Sequence, residues 1–273
     1  MLAFWRGAVL PAPAVRFERE RGRCWVELLE WDAQSYDALP LPHKRWGHAA
    51  IERLRLTGSE TVADLGCGTG RDAQQLLAAV PHGHVVAIDG SEEMLAQLRT
   101  RLADDLDRVE VVHADLRKLL PLNKPVDAVL SVATLHWLPD HARLFTDIAS
   151  MLRPGGQFVA EAGGHGNITT VREALADLGA DNGAGTWNFT GADEATAHLE
   201  AAGFNEIQVD LVPDPARLKA GEQLEAFLAT VVLGAHLRDL PPRQHRPFVH
   251  AVAQRLPEPV VDYVRIQIRA VKP

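Results

Sequence analysis

The segment "VADLGCGTGRD", Val62 to Asp72, combines residue types that together could bind a charged ligand. Three glycines, Gly66, Gly68 and Gly70, follow an apolar run that contains the acid Asp64. Glycine turns between a strand and a helix usually hold anions on their backbone N–H groups. A carboxylate in the same place repels a diphosphate but attracts an ammonium group. The combination therefore favours a ligand that carries both an anionic and a cationic group.

Two nucleotide-binding motifs do not fit this segment. The dinucleotide fingerprint is G-x-G-x-x-G, whereas the spacing here is G-x-G-x-G, with Arg71 where the last glycine belongs. The phosphate P-loop also requires a Gly-Lys-Ser/Thr sequence, which does not follow Gly70. An amino-acid zwitterion suits the segment better, and S-adenosylmethionine carries one at its methionine end.

Three further residues follow the next predicted strands. Asp89 ends the second strand, where an acid accepts hydrogen bonds from a ribose diol. Met94 lies one turn into the next helix, where a thioether can cover an adenine face or simply join the core. Asp115 follows the third strand and can accept from an adenine amine, although a strand-terminal Asp is often only a turn former. Together they predict a nucleoside beside the zwitterion.

The elements that must position these residues alternate regularly along the chain. Short apolar strands, "ETVADL", "HVVAID", "RVEVVHAD", "PVDAVLSVAT" and "QFVAEAGG", are separated by amphipathic helices, which predicts parallel strands covered on both faces. Ser91 and Asp140 are predicted helix N-caps. After Gly164 come two helices, the strand "NEIQVDLV", a helical stretch and a final strand in "VRIQIRAVK".

Composition narrows the class of protein. The chain has 273 residues and a formal net charge of -8, which disfavours a nucleic-acid partner. Its two cysteines, Cys24 and Cys67, cannot build a disulfide framework or a zinc site, so we expect no metal and a cytoplasmic location. No apolar run approaches the roughly 20 residues of a membrane span. Residues 1–30 are expected to form an N-terminal arm, which is either loosely packed or a segment for homo-oligomerisation.

Five segments, "VADLGCGTG", "VVAIDGSEEML", "VVHADLRKL", "DAVLSVATLHWLPDH" and "MLRPGGQFVAE", resemble successive motifs of class I S-adenosylmethionine-dependent methyltransferases. "LHWLPDH" and "GADEATAHLEAAGF" resemble its trans-aconitate methyltransferase-like branch of small-molecule enzymes. The resemblance implies a Rossmann-like, doubly wound α/β fold whose seven-stranded sheet has an antiparallel last strand. It also implies one domain over residues 31–273: a helical lid (31–57), a cofactor half (58–164), and a substrate half (165–273) with a helical insertion at about 214–258.

The resemblance also implies a cofactor site for S-adenosylmethionine, with S-adenosylhomocysteine as the product. Its expected contacts run from the methionine end to the adenine: Asp64, Gly66, Gly68, Gly70, the backbone of Val132 and Ala133, Asp89, Gly90, Met94, Asp115 and Leu116. Val132 stands where many relatives have asparagine, so only a backbone contact is expected there. Arg45 is either a donor to the methionine carboxylate or a solvated helix residue.

Methyl transfer by in-line displacement needs positioning and the exclusion of water more than a catalytic triad. The sequence contains neither a Gly-x-Ser-x-Gly elbow nor a His-Glu-x-x-His motif. His136 and His165 are the candidate general bases, although His136 is equally a cofactor contact or an ordinary helix-start histidine. The candidate substrate wall comprises Tyr36, Trp46, Trp137 and Trp187, with Phe189 beside them, and core packing explains these aromatic residues equally well.

Three functions stay open at this point. The first is methyl transfer to a small molecule, either a specialised metabolite or a carboxylic acid. The second is methylation of carbon followed by cyclisation. The third is a non-catalytic module that binds the cofactor.

Overall fold

A computed structural model describes residues 43–118, 124–180, 187–238 and 240–273 of the chain. The predicted N-terminal arm, residues 1–30, and Tyr36 lie outside the described residues. So does the first part of the predicted lid, whose described part is a helix, α1 (His43–Arg53).

The centre of the fold is a seven-stranded sheet. Its strands are β1 (Thr61–Leu65), β2 (His84–Asp89), β3 (Val109–His113), β4 (Val126–Val132), β5 (Leu152–Gly163), β6 (Asn205–Pro213) and β9 (Val264–Val271). They lie in the order β3-β2-β1-β4-β5-β9-β6. The first five pair in parallel, whereas β9 runs antiparallel to both β5 and β6. The predicted α/β sheet with an antiparallel last strand is confirmed.

Helices cover both faces of this sheet. They are α1, α2 (Arg71–Ala79), α3 (Glu92–Arg101), α4 (His141–Met151), α5 (Thr169–Asp177), α6 (Ala192–Ala201), α7 (Glu222–Phe227), α8 (Gly234–Arg238) and α9 (Pro242–Ala253). Short 3-10 segments span Ala103–Arg108 and Leu135–Trp137, and a π-helical turn spans Leu228–Val232. Within the described residues, no helix is both long and apolar enough to cross a bilayer.

Side-chain alternation along the strands divides the apolar interior into two cores. Val62 of β1 and Val159 of β5 belong to the core under α1, α2 and α3, whereas Leu65 and Phe158 belong to the core under α4 and α6. Successive strand residues point to opposite faces, so nearly every position of a central strand must be apolar. This arrangement brings the carboxyl ends of β1, β2, β4 and β5 to one edge of the sheet.

Two predicted helix caps hold the loops at that edge. The Ser91 hydroxyl accepts the Met94 amide at the start of α3 at 3.2 Å, and the Asp140 carboxylate accepts the Arg143 amide at the start of α4 at 2.9 Å. Such caps contribute about 1 kcal/mol each and fix where a helix begins. Both cap predictions are confirmed.

The helices between β6 and β9 run from Glu222 to Ala253 and include α7, the π-helical turn, α8 and α9. They are flanked by a two-stranded antiparallel sheet of β7 (Ala216–Arg217) with β8 (Val260–Val261). The stretch predicted as helical therefore begins and ends with short strands. Their pairing closes the insertion, because Leu218 also donates its amide to the Pro259 carbonyl at 2.9 Å.

Candidate functional site

The glycine loop between β1 and α2 folds back over the end of β2. The amides of Gly66 and Cys67 donate to the carbonyl of Ile88 at 2.8 and 3.1 Å. All three loop glycines have left-handed φ: 76° at Gly66, 52° at Gly68 and 81° at Gly70. Residues with a side chain adopt this region at a cost of about 1–2 kcal/mol each, which explains why glycines occupy it.

The three loop glycines differ in what surrounds them. A Cβ at Gly66 would stand 2.1 Å from the Thr134 hydroxyl, and one at Gly70 would stand 2.8 Å from Leu98. A Cβ at Gly68 would meet nothing within 4 Å. Gly66 and Gly70 therefore permit close packing of the protein, whereas Gly68 lines a cradle that a side chain would fill.

Asp89, at the end of β2, fixes the shape of the loop. Its two carboxylate oxygens accept the amides of Gly68 and Ser91, each at 2.9 Å. Each carboxylate oxygen has two lone pairs, so these bonds leave capacity for hydroxyl donors from a ligand. The structure thus brings Asp89 to the glycine loop, as a ribose-binding acid requires.

Asp64 lies beneath the same loop and is 1% exposed. It accepts the backbone amide of Ala73, which ties it to the first turn of α2, but its Oδ2 has no hydrogen-bond partner among the described residues. Burial, reinforced by the negative charges of Asp72 and Asp89, raises the pKa of Asp64. No positive charge in the described part of the chain offsets this rise, so an ammonium group of a zwitterion is a fitting partner for Asp64.

Asp72 is a second acid at this point, and the sequence reasoning did not identify it as a site residue. It is the second residue of α2, and burial raises its pKa to about 6, with Arg71 opposing the shift and Glu161 adding to it. The carboxylates of Asp64 and Asp72 therefore lie on either side of the glycine loop in the sequence and act on the same region. The signal available in the sequence was the aspartate of "RD", the pair that directly follows the last loop glycine.

The residues predicted to contact adenosine lie at the ends of β2 and β3 and just after them. The Ala114 amide donates to the Asp89 carbonyl at 3.0 Å, and the His113 ring donates to the Gly90 carbonyl at 2.9 Å. Met94 and Leu116 are both buried. These contacts place the predicted adenosine residues of the two strands along one edge.

Asp115, predicted beside the adenine, is bound by an arginine. Its two oxygens accept the Arg117 Nε and Nη2 at 2.9 and 3.0 Å. Burial opposes ionisation, but the hydrogen bonds and charge of Arg117 outweigh it and lower the pKa of Asp115. A ligand amine must therefore share this carboxylate with Arg117, and the adenine contact stays a prediction.

The end of β4 carries a strained residue. Ala133 has a φ of 56°, in the left-handed region that alanine rarely adopts, and its amide donates to the Glu161 carbonyl at 2.7 Å. Such strain costs about 1–3 kcal/mol and is common where a chain turns at a ligand site. Thr134 then packs on Gly66, so β4 and the glycine loop meet directly.

The next turn, Leu135–Trp137, holds His136 and Trp137. Two residues that sequence reasoning missed clamp this turn. His141 donates from Nε2 to the Leu135 carbonyl at 2.8 Å, and the Asn188 amide donates to the His136 carbonyl at 2.8 Å. The His136 ring is oriented as well, because its Nδ1 accepts the Gly163 amide at 3.3 Å.

An aromatic cluster extends from this turn to the helical insertion. The ring centroids of Trp137 and Trp187 are 6.4 Å apart, and Trp187 stacks on Phe189 at 5.9 Å with an 11° angle between planes. Phe189 also lies 5.9 Å from His136. The structure therefore brings together three of the aromatic residues predicted at the wall and the first candidate histidine. All are half-buried.

His165, the second candidate base, is exposed just beyond β5. Its amide donates to the Thr190 carbonyl at 2.9 Å, so it borders the segment that carries Trp187 and Phe189. Its position is compatible with the predicted role, which stays a prediction.

Arg45 and Trp46 of α1 bind Asp214, at the far end of β6. Arg45 Nη2 donates to both oxygens of this carboxylate at 2.8 and 2.7 Å, and the Trp46 indole also donates to it. Trp46 is 2% exposed, with the Arg265 guanidinium 3.7 Å from the centre of its ring. These contacts dock α1 on the sheet, and a cofactor role for Arg45 or a substrate role for Trp46 stays a prediction.

A buried ionic cluster underlies this helix. Glu161 of β5 lies 3.2 Å from Arg53 and 3.8 Å from Arg265, and both acid and Arg265 are 2% exposed at the side chain. Burial raises the pKa of Glu161, and the two arginines oppose that shift. The acid within the otherwise apolar run "FVAEA" was the sequence signal for this cluster, which sequence reasoning did not use.

Comparison with known proteins agrees with this geometry. A family described as "Methyltransferase domain" matches residues 62–156. The trans-aconitate 2-methyltransferase of Azoarcus sp. (strain BH72) is 39% identical over 126 residues, which are 46% of this chain and 48% of that protein. Its counterpart in Escherichia coli O1:K1 / APEC is 35% identical over 127 residues, which are 46% of this chain and 48% of that protein. The matched region thus spans about half the length of these curated relatives.

Solved structures with similar folds include three at low sequence identity. YcgJ from Bacillus subtilis has a TM-score of 0.61 at 15% identity, covering 84% of this chain and 99% of its own. The [4+2]-cyclase SpnF has a TM-score of 0.60 at 20% identity, and the match covers 92% of this chain and 89% of that one. Haemonchus contortus phosphoethanolamine N-methyltransferase 2, solved with S-adenosyl-L-methionine, has a TM-score of 0.56 at 20% identity. That match covers 84% of this chain and 52% of the other.

The similar structures agree in fold with the seven-stranded sheet, and the family match, residues 62–156, covers the strands and loops that build the glycine-loop site. Residues 62–156 therefore match the methyltransferase-domain family, and the sheet that carries them has the fold of the similar solved structures.

Proposed function

We propose that the protein is an S-adenosylmethionine-dependent methyltransferase that acts on a small molecule, with a carboxylic acid as the acceptor. The observation that carries this proposal is the glycine loop together with Asp64. The loop presents backbone to the Gly68 cradle, and the buried Asp64 keeps one oxygen without a hydrogen-bond partner among the described residues. Together they fit a zwitterion better than a diphosphate.

Each part of the cofactor has residues of matching chemistry in this arrangement. Asp64 and Asp72 suit the ammonium group, and the N–H groups at the start of α2 suit the carboxylate. Asp89 suits the ribose hydroxyls, while Met94 and Leu116 supply apolar surface for the adenine. When bound, the cofactor supplies a methyl group already activated by its sulfonium.

The chain's own residues must then orient an acceptor and exclude water. The aromatic cluster of Trp137, Trp187 and Phe189, at the carboxyl end of β4, offers a half-buried apolar surface for this. Holding two reacting groups in line can contribute up to about 7–11 kcal/mol, so positioning alone accounts for much of the catalysis such a site needs. The acceptor class is supported by the curated relatives, which are named for trans-aconitate.

Calorimetry with S-adenosylhomocysteine tests the cofactor assignment. We expect binding to the wild-type protein and a loss of at least about 100-fold in Asp89→Ala, since both ribose acceptors and the Gly68 anchor disappear. Asp104→Ala is the matched control, because Asp104 is an exposed acid on the 3-10 segment after α3. Equal affinity in the two variants would refute the assignment of Asp89.

Mass spectrometry of products tests the reaction. Incubation with S-adenosylmethionine and a panel of small carboxylic acids, trans-aconitate included, should give a product heavier by one CH2 together with S-adenosylhomocysteine. Mild alkali should remove the added group, because esters hydrolyse whereas N-methyl and C-methyl bonds do not. An alkali-stable product would instead support methylation of nitrogen or carbon.

A further inference from the structure

Arg143, in the first turn of α4, reaches the loop that follows β3. Its Nη2 donates to the Leu116 carbonyl at 3.1 Å, and its Nη1 donates to the Arg117 carbonyl. Leu116 and Arg117 lie in a turn, and their two consecutive carbonyls accept from this one side chain. A guanidinium carries its N–H groups in a fixed planar fork, so a single arginine can hold two neighbouring carbonyls at once.

The guanidinium of Arg143 is oriented from its own helix. Asp147, one turn further along α4, lies 3.3 Å from Nη2 in an i,i+4 ion pair, and its side chain is mostly buried. The bond that caps α4 comes from the backbone amide of Arg143 to Asp140, so it does not depend on the arginine side chain. The side chain of Arg143 therefore serves the loop after β3, whereas its backbone serves the helix cap.

The loop passes this restraint on to Asp115. The carbonyl of Arg117 accepts from Arg143, while the guanidinium of Arg117 binds both oxygens of Asp115 at 2.9 and 3.0 Å and its amide donates to Oδ1 at 3.0 Å. The Lys118 amide donates to the Asp115 carbonyl at 2.8 Å, which closes the turn. A restraint on the backbone at Arg117 is therefore also a restraint on the carboxylate of Asp115.

A gap separates this loop from the start of α4. The cavity there has a volume of about 80 Å³ and is lined by Leu116, Arg117, Leu138, Pro139, Asp140 and Arg143. Atoms on opposite sides of a cavity make no dispersion contact across it. At this point the two bonds of Arg143, rather than apolar packing, join the loop to the helix.

We propose that Arg143 is a positioning residue for the adenine end of the cofactor, because it holds the loop after β3 with Asp115 and Leu116 facing the adenine. This inference rests on the proposed function. Arg143 acts through the loop and not by contact with the cofactor. The first residue of α4, His141, holds the Leu135 carbonyl at 2.8 Å, so the first turn of this helix fixes both the adenine loop and the turn beside the aromatic cluster.

Hydrogen exchange of the protein without cofactor tests the restraint itself. Measured by NMR, the amides of Arg117 and Lys118 should exchange at least about tenfold faster in Arg143→Leu than in the wild type, since the turn that carries them loses both anchors. Amides in the last turn of α4 should keep their wild-type rates. Unchanged exchange at Arg117 and Lys118 would overturn the proposal.

Calorimetry with S-adenosylhomocysteine tests the consequence for binding. We expect Arg143→Leu to lose about tenfold to 100-fold in affinity and Arg143→Lys, which restores one donor, about threefold to tenfold. Should the leucine variant fail to fold, the lysine variant makes the same comparisons with smaller effects.

Arg255→Leu is the matched control for these losses. Arg255 follows α9 and donates from Nη1 to the Ala251 carbonyl at 2.9 Å, so it too is an arginine bonded to a backbone carbonyl, but on the exposed surface of the insertion. Its substitution should change the affinity by less than about twofold. Equal losses of affinity in Arg143→Leu and Arg255→Leu would overturn the positioning role.

The selectivity for adenine distinguishes positioning from a general structural effect. S-inosylhomocysteine has an oxygen in place of the adenine amine, so it has no amine hydrogen to give to Asp115. The wild type should prefer S-adenosylhomocysteine, and Arg143→Leu should reduce that preference by about tenfold. A purely structural role would weaken both ligands equally, and an unchanged ratio of the two affinities would overturn the proposal.

The two kinds of measurement keep this inference distinct from the proposed function. If the wild type bound no S-adenosylhomocysteine, the proposed function and the adenine role of the loop would both be refuted. The exchange rates would still show whether Arg143 holds the loop. If the wild type bound S-adenosylhomocysteine and the Arg143 variants did so equally well, the proposed function would stand and this inference alone would fall.

Discussion

Gly47 of α1 packs directly on the carboxylate of Asp72 at the start of α2. A Cβ built on Gly47 would stand 1.9 Å from Asp72 Oδ1, well inside any real contact. A glycine in the interior of a helix costs about 0.5–1 kcal/mol relative to alanine, so this close approach is made at the expense of helix stability. It brings α1, the described part of the predicted lid, against the helix that leaves the glycine loop.

Substitution of Gly47 should reveal this contact through its dependence on Asp72. Gly47→Ala is expected to lower the free energy of unfolding by about 1–3 kcal/mol, because the methyl group overpacks the carboxylate. In an Asp72→Ala background the same substitution should be neutral or stabilising by up to about 1 kcal/mol. Chemical denaturation of the four proteins measures the coupling, and additive effects would show that the two residues do not touch.

The pH dependence of stability should report Asp72. Its folded pKa of about 6 lies above the ordinary 3.8, so between these values the folded state binds more protons than the unfolded state. Stability is therefore lost from this group as pH rises from about 4 to about 6. Relative to the wild type, Asp72→Asn should gain about 1–3 kcal/mol above pH 7 and little near pH 4, as thermal denaturation at both pH values can show. A difference in stability between Asp72→Asn and the wild type that does not change with pH would contradict the raised pKa of Asp72.

Substitutions of the loop glycines should separate effects on folding from effects on cofactor binding. Gly66→Ala combines left-handed strain with the Thr134 clash and should lower the free energy of unfolding by about 3 kcal/mol or more. Gly68→Ala should lower it by only about 1–2 kcal/mol, since its Cβ would meet nothing within 4 Å. Its affinity for S-adenosylhomocysteine should nevertheless fall at least about tenfold, because the methyl group would fill the cradle.

Gly203, which follows α6 away from the loop, is the matched control for Gly68. It has a φ of 86°, and a Cβ there would also meet nothing within 4 Å. Gly203→Ala should cost about the same stability as Gly68→Ala and leave calorimetric affinity unchanged. A parallel loss of affinity in both variants would mean that destabilisation, and not the cradle, explains the result.

The ionic cluster under α1 should be strongly coupled to stability. Glu161→Gln removes the charge that faces Arg53 and Arg265, both partly or wholly buried, and should cost about 3 kcal/mol or more. Glu258→Gln is the control, because its pair with Arg217 is exposed by 67% and 75%, and we expect a change within about 0.5 kcal/mol. If urea denaturation gave similar losses of unfolding free energy for Glu161→Gln and Glu258→Gln, that result would contradict the buried cluster.

The sequence by itself determined the strands of the sheet and most of the strand-end acids, whereas the antiparallel last strand was expected only from the family resemblance. These features are local: alternating apolar runs specify buried strands, and glycines at fixed spacing specify a turn. Asp89 could be assigned to the glycine loop from its place at a strand end, since parallel strands bring their carboxyl ends to one edge.

Only the tertiary structure decided how the charged side chains pair and which group holds the ring of His136. Arg45 pairs with Asp214, which lies 169 residues later in the chain, and Glu161 meets Arg53 and Arg265 from two other elements. The amide that holds the His136 ring comes from Gly163 of the neighbouring strand. Periodicity and spacing carry no information about such partners, because each pairing depends on how distant elements pack and on which charges burial leaves uncompensated.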